Sequence, residues 1–156
     1  MKSTLICFSF LGLVFSSCSK KAENPAPKVV THHIEARVTA TDLADMNATL
    51  TLTERRDFIN GGVKKTLNYE PINTNLAKTI DLSMYGAADL ISGVVEFQAV
   101  RPGGSTQPRV TTKLKLELLA DGKVIETTEL NQLKTGWKVS ASPYLKGGVD
   151  IETDNL

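Results

Sequence analysis

The chain has 156 residues, with 18 Lys and Arg against 17 Asp and Glu, a formal net charge of +1, and 41% hydrophobic residues. That length fits one domain around a single core, and a near-neutral balance argues against a nucleic-acid protein, which calls for a strongly basic face. The two cysteines are Cys7 and Cys18; both precede the part that reads as folded, which excludes disulfide staples, cysteine nucleophiles and zinc–thiolate sites there.

At the N-terminus Lys2 precedes a mostly apolar run from Leu5 to Phe15, then Ser16, Ser17 and Cys18. A basic start, an apolar stretch of about 11 residues and small residues before a cut have the anatomy of a secretory signal, too short to span a bilayer as a helix. This arrangement resembles the lipobox of bacterial lipoproteins, with Ser16 and Ser17 as the small residues before the cysteine and Phe15 where leucine is commoner. The resemblance implies cleavage before Cys18 and acylation of its thiol and new amino group, hence attachment to a membrane through lipid. Ser19 in place of an acidic residue resembles the pattern that sends lipoproteins to the outer membrane, and no acidic cluster follows Cys18 as in surface-export signals, so a periplasm-facing position is expected. An ordinary signal peptide cut elsewhere, with Cys18 incidental, is the alternative.

Residues 1–17 therefore read as a signal peptide. Residues 18–28, with Pro25 and Pro27 and no bulky apolar side chain, read as a lipidated cysteine and semi-extended tether. From Val30 the pattern becomes period two: Val30, His32, Ile34, Ala36, Val38 and Ala40 alternate with polar residues, as in a half-buried strand. Thr41–Met46 should hold a connection with a helical turn, and Ala48, Leu50 and Leu52 mark a second strand among β-branched threonines. Asn60-Gly61 reads as a two-residue type I′ turn, which would place Phe58 opposite Val63, Arg56 opposite Lys65, Glu54 opposite Leu67 and Leu52 opposite Tyr69.

Further strands are expected at Leu76–Leu82 and Val95–Ala99, the latter closed by Pro102, Gly103 and Gly104. Leu114, Leu116 and Leu118 lead into a second hairpin turn at Asp121-Gly122, and Trp137, Val139 and Ala141 would form the last strand, with Pro143 at its end. Seven to eight short strands without helical periodicity predict an all-β fold, an immunoglobulin-like β-sandwich over residues 29–146, followed by an acidic C-terminal tail, 147–156. Ile34, Val38, Leu50, Leu52, Phe97, Leu114, Leu116 and Val139 are the expected core. The stretch Leu116–Ile125 and the run Gly136-Trp137-Lys138-Val139 also resemble the small extracytoplasmic sandwiches of the MmpS type. That likeness implies an accessory role beside a lipid exporter, although such proteins use a transmembrane helix where this chain has Cys18.

Catalytic and metal chemistry find little footing. His32 and His33 are strand neighbours on opposite faces and cannot jointly hold one metal; His32 reads as a core-edge histidine with its ring nitrogens satisfied, His33 as solvent-facing. Asp150, Glu152 and Asp154 lack the loop that shapes a calcium cage, and no nucleophile elbow or phosphate-binding loop occurs. No enzyme activity, metal or cofactor is expected.

The candidate contact site is the Asn60 hairpin, with Phe58 and Ile59 at an apolar tip and Arg55, Arg56, Lys64 and Lys65 on its arms, suited to an envelope protein or to lipid headgroups. The same residues could instead close the core, with the charges merely solvated. A second possibility is a glycan or lipid ligand on Trp137, Tyr69 or Tyr144.

Overall fold

A computed structural model describes residues 30–100, 106–132 and 145–156. The alternation after Val30 becomes β1 (Thr31–Thr41), which turns Ile34, Ala36, Val38 and Ala40 inward and leaves Arg37 and Thr41 exposed. It is followed by β2 (Ala48–Arg55), β3 (Lys64–Ile72), β4 (Leu76–Gly86), β5 (Leu90–Phe97), β6 (Lys113–Ala120), β7 (Lys123–Asn131) and β8 (Leu145–Glu152). These eight strands form two four-stranded sheets, ordered β4-β1-β6-β7 and β3-β2-β5-β8, with every neighbouring pair antiparallel. The fold is all-β, a two-layer sandwich of immunoglobulin-like architecture. No helix among the described residues is long and apolar enough to cross a membrane.

The inward faces meet in one core. Ile34, Val38, Leu50, Leu52, Phe97, Leu114 and Leu116 are all fully buried, as the alternation predicts. Val139 lies outside the described residues, as do the expected last strand at 137–141, Pro143, Tyr144 and the breaker at 102–104. Gly93 in β5 sits where the sheets press close: a Cβ there would lie 2.6 Å from Leu116 Cδ2 of the opposite sheet. Gly147 likewise lets β8 approach β7, since its Cβ would meet Thr128 Oγ1 at 2.5 Å. On the other flank, Lys78 of β4 pairs with Glu70 of β3 and joins the two sheets at their outer strands.

Two expectations need correction. Residues 147–152 are not a tail: they belong to β8, paired with β5 from Leu90↔Glu152 to Phe97↔Leu145, with Val149 and Ile151 buried. The pair of glycines and the acids hid a short alternating strand that turns Val149 and Ile151 inward. The segment after β1 has no helical turn. Asp42, Asp45 and Asn47 take positive φ (49°, 67° and 47°), a conformation Asp and Asn tolerate, and the resulting tight bend drops Leu43 and Met46 into the core.

The register places β1's start, β4's end, the β4–β5 turn, the β2–β3 connection, the Asp121-Gly122 turn and the C-terminal residues 153–156 at one end of the sandwich, here called proximal. Asp121 (φ 51°) and Gly122 (φ 78°) make the expected two-residue turn, with Ala120 opposite Lys123.

Candidate functional site at the proximal end

The β2–β3 connection departs from the tight hairpin that Asn60-Gly61 predicts. Arg55 faces Lys64, Glu54 faces Lys65 and, past an irregularity, Leu52 faces Asn68, so the partners near the turn are displaced by two positions. Residues 56–63 form a longer loop with a short 3-10 helix at Phe58–Asn60. Asp57 (φ 51°) and Gly61 (φ 83°) supply left-handed turns, and Asn60 Nδ2 donates to Asp57 Oδ1 at 2.7 Å. Gly62 has no alternative: a Cβ there would fall 1.6 Å from the carbonyl oxygen of Arg56.

The loop folds over the β4–β5 turn instead of projecting, because long-range hydrogen bonds outweigh the local turn preference. Phe58 N donates to Ala88 O at 2.6 Å and Asp57 N to Asp89 Oδ1 at 3.0 Å. Asp89, only 7% exposed, is the hub: its other oxygen accepts from Gly86 N at 3.1 Å and from Arg56 Nη1 at 3.0 Å. Thr153 closes the assembly, accepting from Asp89 N at 3.0 Å and donating back to the Gly86 or Asp89 carbonyl. The Asp89 carboxylate thus ties the β2–β3 loop to the end of β4, a use of a buried acid that satisfies it fully, while the Asp89 backbone holds Thr153 and with it the C-terminal segment.

Beside this hub lies a second buried polar group. Glu54 accepts the Tyr85 hydroxyl at 3.0 Å and Arg56 Nε at 3.1 Å, with Lys65 Nζ 3.5 Å away. The Arg56 guanidinium stacks 3.8 Å from the centroid of the Tyr85 ring. Burial first, then the Glu54 carboxylate, pushes the Tyr85 phenol well above its ordinary value of 10. Arg56, expected on a solvated arm of a contact hairpin, therefore holds the loop down, while Lys65 stays exposed in β3 across from Glu54.

The other candidate residues divide. Arg55 places its guanidinium 5.7 Å from the Phe58 ring centroid, and Phe58 is half-buried. Ile59 (64%) and Val63 (87%) stay exposed, as does Lys64, for which no ion pair occurs among the described residues. Thr53, Arg55, Lys64, Leu90 and Ser92 line a shallow cavity of about 80 Å³, well below the size that encloses a small-molecule ligand.

The histidines take the predicted opposite faces. His32 Nδ1 lies 2.7 Å from Asp121 Oδ2 at the core edge, while His33 Nε2 lies 3.0 Å from Asp81 Oδ1 on the outer side. His33 N also donates to Asp121 Oδ1 at 2.9 Å. The His32 contact first, then that backbone donor, holds the Asp121 carboxyl below the usual range; for Asp81 the Ser83 backbone N–H leads and His33 follows. Among the described residues no three or more His, Asp or Glu converge as metal ligands do.

Tyr69 is the one proposed ligand-contact aromatic that falls in the described part, with Trp137 and Tyr144 outside it. It is 61% exposed on the outer face of the β3-β2-β5-β8 sheet, beside Thr51 and near Val94. Cys18 also lies outside the described residues. Glu54, Tyr85, Asp89 and Thr153 were not legible as a group, since they are scattered over a hundred positions; the positional hint was the polar Glu54 continuing the inward series of Leu50 and Leu52. No family model matches the chain, and no curated protein matches it.

Proposed function

We propose that the protein is a lipid-anchored, noncatalytic module of the bacterial cell envelope, held in the outer membrane facing the periplasm and acting in an interaction or transport-accessory role. The observation that carries this reading is Cys18, placed directly after Ser16-Ser17 and an apolar signal-like run and followed by a proline-containing tether that leads into β1. The noncatalytic part is supported by the use of the proximal-end ionisable groups: Glu54, Arg56, Asp89, Asp121 and both histidines are engaged in contacts that hold turns together. The MmpS-type likeness favours the accessory role. Two or more acyl chains give stable anchoring where one gives only marginal binding. Cys18→Ala should leave an uncleaved or mislocalised precursor, while wild-type protein partitions into the detergent phase; wild-type protein remaining in the aqueous phase would refute the anchor.

A second reading, a glycan- or lipid-binding module, is favoured by one feature, the exposed Tyr69 ring on a sheet face lined by Thr51, Thr66 and Ser92. Aromatic faces and short hydroxyls suit a flat carbohydrate contact. Tyr69→Ala should then abolish retention on envelope glycans without changing stability, and unchanged retention would remove this reading.

A further inference from the structure

Nine large apolar side chains stand exposed among the described residues, and their distribution is uneven: seven lie at or beside the proximal end. Val30 (58%), Ile59 (64%), Val63 (87%) and Leu156 (40%) cap that end, and Met84 (49%) borders it on β4. Only Tyr69, midway along β3, and Val110, at the opposite end, fall elsewhere. Exposed apolar residues scattered singly carry no message, whereas a gathering on one surface marks contact with another phase or molecule.

The proximal end is also where the N-terminal segment joins the sandwich, since Val30 immediately precedes β1. Cys18 lies 12 residues before Val30, and an extended chain of that length reaches at most about 40 Å. We infer that the proximal end is a membrane-resting surface, with Ile59, Val63, Val30 and Leu156 meeting the headgroup layer of a phospholipid bilayer. This rests on the reading of Cys18 as the anchor.

Three observations favour lipid over a protein groove partner. The four side chains come from three separate segments that share only their place at the proximal end, and the cavity beside them is shallow. Ile59 is held outward by a loop that is pinned from beneath through Asp57 and Phe58, so its exposure is built in. Charges around the surface are mixed, with Lys64 and Lys123 beside Asp57 and Asp121, which suits a zwitterionic or weakly anionic headgroup layer and predicts little salt dependence. Individually such contacts are weak, but a tethered domain meets the bilayer at a high effective concentration, so weak contacts suffice to orient it.

The test supplies the attachment artificially, so that its outcome is independent of acylation. The chain from residue 18, carrying Cys18→Ala and a hexahistidine tag at its N-terminus, is captured on phosphatidylethanolamine–phosphatidylglycerol vesicles containing a nickel-chelating lipid. Val63→Cys and Val110→Cys, both at positions open to solvent, are labelled with an environment-sensitive fluorophore. The expected result is a blue shift and quenching by a lipid-borne quencher at position 63 and neither at position 110, persisting in high salt. Equal responses at the two positions, or a stronger one at 110, would overturn the inference. A second pair, Ile59→Cys against Tyr69→Cys, repeats the comparison on other elements and guards against a local effect of one substitution. Mass measurement of native Cys18 tests the anchor separately.

Discussion

Replacing Gly93 by alanine tests whether the two sheets are locked together at one point. In an extended strand, as Gly93 is, exchange of glycine for alanine should by itself stabilise by about 0.4–1 kcal/mol through the unfolded chain. Here the new methyl would lie 2.6 Å from Leu116 Cδ2 and 3.3 Å from both Leu52 Cδ2 and Val149 Cγ2, against an optimum of about 3.5–4.0 Å between carbon atoms. Leu116 has to move by about 1 Å, and Leu52 and Val149 block the obvious escape, so overpacking of roughly 1–3 kcal/mol decides the sign. Gly93→Ala should therefore destabilise. Leu116→Ala alone removes a fully buried side chain and should cost about 2–5 kcal/mol through lost transfer energy and a residual cavity. In the double variant the alanine at 93 fills part of the space vacated at 116, so the two costs should fall short of additivity by at least about 1 kcal/mol. Urea unfolding followed by far-ultraviolet circular dichroism of the four proteins measures this. Additivity within about 0.5 kcal/mol, or a stabilising Gly93→Ala, would mean that the sheets do not meet as described.

Three further perturbations probe the proximal end. Tyr85→Phe removes the hydroxyl that Glu54 accepts while keeping the ring beneath Arg56, and should cost about 1.5–3 kcal/mol, the range for a hydrogen bond to a charged group, in chemical denaturation. Because the Tyr85 phenol is raised in the folded state, its contribution is complete below the ordinary tyrosine range near pH 10 and is lost as pH rises beyond it; the alkaline fall in stability should be shallower in Tyr85→Phe. Asp121 is depressed in the folded state, so its contribution is present above the ordinary carboxyl range and lost as pH falls through and below pH 4. Asp121→Asn keeps a residue that tolerates the left-handed turn and should flatten the acid limb of the urea midpoint between pH 5 and pH 2. Gly62→Ala sets a Cβ against the Arg56 carbonyl and should release the loop, seen as faster amide exchange at Asp57 and Phe58 while the β1–β6 ladder stays protected.

The fold was legible where one local signal sufficed. Alternation in β1 and in Leu114–Leu118 fixed both strands and their inward faces, and Asp121-Gly122 formed the tight turn because its distant contacts, with His32 and His33 of β1, hold that turn and do not compete with it. Asn60-Gly61 carries a similar local preference yet sits in a longer loop, because Asp89, about thirty positions away, takes the backbone N–H of Asp57 and the Arg56 side chain. Local turn chemistry lost to tertiary hydrogen bonding there, and the two-residue hairpin gave way to the longer loop. β8 was missed because Gly147 and Gly148 mimic a linker, although Gly147 serves close approach, with Thr128 against it. Of the candidate contact residues, Ile59, Lys64 and Lys65 keep the exposure a contact needs, while Arg56 serves Glu54 and Asp89. Sheet order, and hence which segments share the proximal end, has no short-range signature at all.

The most direct test of the anchored-module account is the intact mass of the protein extracted from membranes of cells that make it from the full-length gene. The account predicts a chain beginning at Cys18, heavier than the 139-residue polypeptide by a diacylglyceryl group and, where the amino group is also modified, a further acyl chain. A chain beginning elsewhere, or an exported chain whose Cys18 is unmodified, would contradict it.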